Sequence, residues 1–273
     1  MKNKQLFVIN LLRSLWPSFG EEVFYLRERL RHRRQFGDVQ KNFWLDHYAP
    51  LKPVVLSGPF AGMKYLLGNV LGTALPRWLG TYEAELHGII RDRISKKKYE
   101  LILVVGSAEG YYACGFARLF PDTPVLSFEA TAFSRWQQRR LLKLNQIRNV
   151  RIKGILKAAE FARLVKNKKV LCLLDIEGGE LEFCSAATAP FLEDVDLLIE
   201  IHAAGAHPAQ EVLKKVQAAL EPSHRIQVLD SVPRNMAQFQ ARLASPWSLE
   251  ALQQAAEEHR GVQQWLWAES GPD

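Results

Sequence analysis

The stretch Leu101-Ile102-Leu103-Val104-Val105-Gly106-Ser107-Ala108-Glu109-Gly110-Tyr111-Tyr112-Ala113-Cys114-Gly115-Phe116-Ala117-Arg118 decides how this chain is read. An unbroken aliphatic run that stops at a glycine has the pattern of a buried parallel strand, and the small residues after it turn the chain into a helix. In an open α/β sheet, ligands sit beyond the carboxyl ends of such strands, where glycine lets the backbone come close. A Cβ at Gly106 is therefore expected to intrude on a ligand while leaving a folded protein.

Spacing narrows the ligand. Dinucleotide loops carry G-x-G-x-x-G, but Ala108 takes the middle position and leaves G-x-x-x-G. A Walker loop needs Gly-Lys and then Ser or Thr, and Tyr111 follows Gly110 instead. What remains is a nucleoside without a pyrophosphate, such as S-adenosylmethionine, lying along Gly106, Ser107, Ala108, Glu109 and Gly110. Tyr111 would then line the methionine end, although packing is the simpler role for Tyr111 and Tyr112. The run Pro124-Val125-Leu126-Ser127-Phe128-Glu129-Ala130 is a second strand ending in a carboxylate. Glu129, with Ala130 beside it, stands about 20 residues past the loop, where an acid accepts hydrogen bonds from ribose hydroxyls.

Two later strands deliver ionisable groups to the same edge. Val170-Leu171-Cys172-Leu173-Leu174-Asp175 ends in Asp175, with Glu177 two residues on and Gly178-Gly179 turning into a helix that starts at Glu180. Carboxylates at the end of a buried strand are costly unless paired, hydrogen-bonded or put to use. The plainer reading is that Asp175 caps the next helix and Glu180 complements its dipole. Leu197-Leu198-Ile199-Glu200-Ile201-His202 brings in an imidazole whose ordinary pKa lies near neutrality. Asp175, Glu177 and His202 are thus the candidate catalytic residues. His202 could take a proton from a substrate hydroxyl, or the trio could bind a divalent cation.

The segment from about Tyr99 to Gly154 resembles the nucleotide-binding half of a class I S-adenosylmethionine-dependent methyltransferase. Within that superfamily, Val105 to Tyr112, followed much later by Leu174-Asp175-Ile176-Glu177-Gly178-Gly179-Glu180-Leu181-Glu182, resembles the FkbM-type methyltransferases. Their pattern is roughly D-V-G-A-N-x-G-Y-Y and then K-x-D-V-E-G-x-E. Here Val104 replaces the usual acid, Ala108 replaces the usual Asn, and Leu174 stands near the usual Lys. The resemblance implies O-methylation of a small-molecule or sugar hydroxyl; Asp175, at the carboxyl edge of the sheet, stands beside where the first loop would hold the cofactor. The resemblance also implies that Glu85, in a Tyr-Glu-x-Glu segment before the first strand, touches the cofactor, and that Asn145 and Gly154 line the adenine. An exposed acidic helix start accounts for Glu85 as simply, and a helix cap for Asn145.

At 273 residues, 48% hydrophobic and 24% charged, the chain can bury a full core. A formal charge of +7 favours anionic partners, and Arg27, Arg29, Arg31, Arg33 and Arg34 cluster near its start. That run is either a solvated helix face or a contact for nucleic acid or lipid, which keeps RNA methylation as an alternative. A non-catalytic cofactor-binding protein of the same fold is a second. Cys114, Cys172 and Cys184 have no paired spacing and suit reduced, partly buried thiols in a cytoplasmic setting. The apolar run after Met1 is short and no cleavage site follows, so no signal peptide is expected. No run approaches the roughly 18 apolar residues of a transmembrane segment.

Two amphipathic helices are predicted between Lys4 and Arg34, hairpins or ordered loop from Gly58 to Gly80, and a helix capped by Thr81 and running to Ser95. Strands are predicted at 101–105, 124–129, 150–153, 170–175, 195–201 and 224–229, with a last one around Trp265, Leu266 and Trp267. These make a Rossmann-like α/β fold: a seven-stranded, mostly parallel sheet with helices on both faces and an antiparallel final strand. A helical insert is expected from Asn235 to Glu258. The predicted division is an N-terminal helical and hairpin extension over 1–80 and a catalytic domain over 81–273. Trp265 and Trp267 share one strand face and fit a core or an interface such as a homodimer's.

Overall fold

The computed structural model describes residues 54–66, 74–185, 187–234, 236, 253 and 263–271. The two helices predicted before Arg34, the arginine run and nearly all of the insert predicted from Asn235 lie outside these residues. Among the described residues no helix is long and apolar enough to cross a membrane.

The sheet has seven strands: β1 (Leu101–Val105), β2 (Val125–Phe128), β3 (Val150–Lys153), β4 (Val170–Leu174), β5 (Val195–Ile201), β6 (His224–Asp230) and β7 (Gln264–Ser270). Their order is β3-β2-β1-β4-β5-β7-β6, parallel from β3 to β5, with β7 antiparallel to both β5 and β6. The chain therefore has the mostly parallel α/β sheet and the antiparallel last strand that its pattern predicts. Before β1 come α1 (Ala74–Leu79) and α2 (His87–Asp92), and between the strands lie α3 (Tyr111–Leu119), α4 (Ala132–Leu144), α5 (Ala158–Val165), α6 (Glu180–Phe183) and α7 (Ala209–Leu220).

Every residue of β1, β4 and β5 is buried, because helices cover both faces. Ile102 and Val104 face one core with Tyr111, Cys114 and Phe116, whereas Leu101, Leu103 and Val105 face the other with Phe161, Phe183 and Val212. Each such side chain contributes about 2 kcal/mol of burial. Trp265 and Trp267 both enter the first core, and all three cysteines are buried and free.

Before β1 the structure departs from the sequence pattern. An antiparallel bridge between Val54 and Lys64 closes a hairpin-like turn, but Ala74–Leu79 is helical rather than loop. Pro76 sits in the first turn, where its missing N–H is harmless. Thr81 caps nothing: its N–H and hydroxyl both return to the Pro76 carbonyl, at 2.8 and 3.5 Å. The single predicted helix is instead split into a 3-10 turn (Ala84–Leu86), α2 and a second 3-10 turn (Ile94–Lys96). Phe60 fastens this segment to α3, its ring lying 2.6 Å from where a Cβ on Gly115 would stand. Only a glycine there admits the ring.

Candidate active site

The loop after β1 and the loop after β4 touch. Gly106 has φ +80°, and a Cβ built on it would lie 1.5 Å from the Asp175 carbonyl oxygen. This corrects the expectation that a side chain at Gly106 would meet a ligand first; it would meet the chain's own backbone. Gly110, at φ +95°, is the N-cap of α3. The loop amides are largely consumed within the loop's own surroundings. Gly106 and Ser107 donate to the Phe128 carbonyl at 2.9 and 3.0 Å, Gly110 donates to Ser107 O at 2.8 Å, and Ala108 donates to Glu129 Oε2 at 2.8 Å. Ala108 lies at φ +45°, where a residue with a Cβ is held at a cost of roughly 1–2 kcal/mol and Asn is better tolerated. Among the loop's side chains, Ser107 Oγ is buried with no hydrogen-bond partner among the described residues.

Glu129 stands at the carboxyl end of β2, one residue past the strand, whereas the sequence pattern predicts it as the last strand residue. Its Oε1 accepts from the Thr131 N–H and hydroxyl, each at 2.8 Å. Thr131 precedes α4 in sequence, yet its hydroxyl orients Glu129 instead of capping the helix. Burial pushes the Glu129 carboxyl above its ordinary range, against the pull of the Thr131 and Ala108 bonds. A carboxylate has about four lone-pair positions. Three are occupied, all by groups that fix its orientation.

The ends of β4 and β5 converge on His202. Glu177 and Gly178 both take left-handed backbone, φ +53° and +106°, and a Cβ on Gly178 would lie 2.7 Å from the Ala203 carbonyl. That turn presses the β4 loop against the residue after His202. Nδ1 of His202 lies 2.9 Å from Glu180 Oε1, and a carboxylate there accepts the Nδ1–H, so in the neutral imidazole Nε2 carries the lone pair. Around Nε2 stand Glu177 Oε2 at 3.7 Å, Glu200 Oε1 at 3.7 Å and Asp175 Oδ1 at 3.9 Å. Burial disfavours the imidazolium, but the Glu180 bond and the charges of Asp175, Glu177 and Glu180 outweigh it and raise the His202 pKa. Glu177 is 82% exposed, whereas Glu180 and Glu200 are 0% and 1% exposed. Asp175, Glu200 and His202 also bring one ligand atom each within 4.8 Å of one another, a spread that one divalent cation could bridge.

The predicted catalytic trio is thus gathered at one point. Two neighbours, Glu180 and Glu200, escaped prediction. Glu200 shares a strand face with His202 at a spacing of two, which is a legible signal. Glu180 reads as a dipole partner in sequence and is in fact the carboxylate that fixes the imidazole; the Oε2 of this fully buried side chain has no hydrogen-bond partner among the described residues. Asp175 caps no helix, the N-cap position of α6 belonging to Gly179.

Other predicted cofactor residues are turned elsewhere. The Glu109 carboxylate is bonded by the Tyr65 hydroxyl and lies 3.1 Å from Arg77 Nε, in a buried group facing the N-terminal segment. Tyr111 is buried among Phe60, Tyr65 and Tyr82, with ring centroids 5.3–5.7 Å away. Glu85 pairs with Arg234 at 2.8 Å, both nearly enclosed. Asn145 ends α4, about 20 Å of helix from the β2 loop, and exchanges hydrogen bonds with the Lys64 backbone at 2.7 and 2.8 Å. Its place is a helix end tied to the N-terminal segment. Gly154 and Ala130 are exposed just past β3 and β2, and a Cβ on Gly154 would have nothing within 4 Å.

No family model and no curated protein matches this chain. Among solved structures it is similar to an rRNA methylase from Streptococcus thermophilus, over 68% of this chain and 97% of that one, at 11% identity and a TM-score of 0.45. The O-methyltransferase TomG from Streptomyces achromogenes, solved in complex with SAM, covers 68% and 78% at 11% identity and a TM-score of 0.43. A precorrin-6y C5,15-methyltransferase from Geobacter metallireducens GS-15 covers 63% and 79% at 14% identity and a TM-score of 0.42. At such values the likeness bears on neither the substrate nor the residues of this chain.

Proposed function

We propose that this chain is an S-adenosylmethionine-dependent methyltransferase of FkbM type, acting on a hydroxyl of a small-molecule or sugar acceptor. Residues 81–273 would form its catalytic domain and 1–80 an extension. The observation that carries the cofactor is Glu129, held by Ala108 and Thr131 at the end of β2 with a lone-pair position left for a ribose hydroxyl. The unpartnered Ser107 hydroxyl beside it suits a polar ligand and fits the same group.

S-adenosylmethionine supplies an electrophilic methyl group on a sulfonium. Glu129 would bind the ribose, and the Gly106–Gly110 loop would support the methionine moiety. Nε2 of His202 would take the proton of the acceptor hydroxyl, leaving that oxygen free to receive the methyl group. Glu180 sets the tautomer, and Asp175, Glu177 and Glu200 stabilise the imidazolium that forms. A second reading is favoured by the convergence of Asp175, Glu200 and His202: these three would instead hold a divalent cation, with Glu180 orienting the imidazole from behind.

Transfer of a labelled methyl group to a panel of sugar, glycolipid and RNA acceptors, run with and without a chelator, tests this. Sugar or glycolipid methylation, cut roughly a hundredfold or more in His202→Ala and indifferent to chelation, is the expected result. Loss on chelation with recovery on adding magnesium favours the cation. Transfer only to RNA, or cofactor binding without transfer to any acceptor, contradicts the proposal.

A further inference from the structure

We propose that the β3 side of the molecule docks on an anionic lipid surface. β3 is the terminal strand of the sheet, so it and α4, which precedes it, form an outer flank. Residues 130–159, which span that flank, contain eight Lys and Arg and no Asp or Glu. These thirty residues alone carry +8, against +7 for the whole chain. Arg139, Arg140, Lys143, Arg148, Arg151 and Lys157 are all exposed. Among the described residues, Lys153 alone of this group meets a carboxylate, that of Glu160 at 3.0 Å.

A solvated helix face ordinarily interleaves acids with its bases at a spacing of three or four. This one has none, and it carries apolar side chains in the open. Ile155, in the turn after β3, is 75% exposed, and Trp136, in the second turn of α4, is 48% exposed. Phe133 lies 5.7 Å from the Trp136 ring, and the Arg140 guanidinium stands 4.8 Å from it. Both apolar groups belong to the end of the flank where the strands' carboxyl ends open.

The apolar component decides between the two polyanions such a flank could meet. A single-stranded nucleic acid would use aromatic faces for stacking, for which an aliphatic side chain is useless. A membrane interface takes up Trp and aliphatic side chains alike, while surrounding Lys and Arg meet lipid phosphates. Ile155 is the more exposed of the two, so lipid is the better match. No part of this rests on the assignment of the methyl-transfer site.

The test is co-sedimentation of the full chain with vesicles of phosphatidylcholine alone or of an equimolar phosphatidylserine mixture. Binding to the mixture only is expected, falling roughly tenfold or more in R139E/R140E. A second variant, W136S/I155S, should lose roughly fivefold without losing the charge. All four positions are exposed, so thermal melts of both variants should match wild type. Undiminished binding by both variants, or no binding to the acidic vesicles, overturns the proposal. So does capture by single-stranded RNA that competes with vesicles and is stronger than theirs.

Discussion

Two carboxylates on β5 face the same side of the sheet, four residues apart, and meet opposite fates. Asp196, at the amino end, is 2% exposed and receives the Tyr99 hydroxyl and Lys97 ammonium at 2.7 Å, with the Ser270 N–H and hydroxyl at 2.9 and 2.8 Å. Glu200, at the carboxyl end, is 1% exposed and meets the Gln263 amide at 2.5 Å and His202 Nε2 at 3.7 Å. Where Asp196 has a lysine at contact distance, Glu200 shares one imidazole with Asp175, Glu177 and Glu180. Burying a charge is tolerable when its partners are complete. The amino end is complete and ties β5 to β7 and the segment before β1. Among the described residues the carboxyl end gathers four carboxylates around one imidazole, an arrangement suited to a place where a ligand or a proton is handled.

The comparison can be broken most severely at Gly106. Gly106→Val places a side chain into the Asp175 carbonyl and should separate the β1 and β4 loops, at a cost of at least about 4 kcal/mol, a large part of a domain's whole stability. Circular dichroism should show a lost or strongly lowered melt. A normal melt with only ligand binding abolished would restore the role read from sequence.

A paired experiment sharpens the contrast within β5. Asp196→Ala strips partners from Tyr99 and Lys97 and should cost about 3 kcal/mol, seen as a lower melting temperature, while turnover by the folded fraction stays near wild type. Glu200→Gln should show the reverse, a melt close to wild type and methyl transfer lowered about tenfold. Equal effects of both substitutions on stability and rate would dissolve the distinction.

Much of this layout is legible in sequence because it rests on local rules. The five-residue aliphatic strand ending at Gly106, and the acid at the carboxyl end of β2, follow from period, length and turn chemistry. Asp175, Glu177 and His202 could be gathered on paper because parallel strands deliver their last residues to one edge. Glu180 could not, since an acid in a helix's first turn already has a local explanation, and only the pressing of Gly178 on Ala203 brings it to the imidazole. Glu109 likewise sits in the predicted loop, but Tyr65, 44 residues earlier, claims its carboxylate. Asn145 shows the same limit, with a polar group near a strand start held by the Lys64 backbone instead of a nucleoside.

The central claim is that Glu129 and the loop before it hold a sulfur nucleoside, and calorimetry tests it most directly. Wild-type protein should bind S-adenosylmethionine and its demethylated product and should not bind NAD. Glu129→Ala should weaken both interactions roughly tenfold or more, because the ribose hydroxyl loses its charged acceptor. Binding of NAD with no heat from either sulfur nucleoside, or equal affinities in the wild type and the variant, would contradict the account.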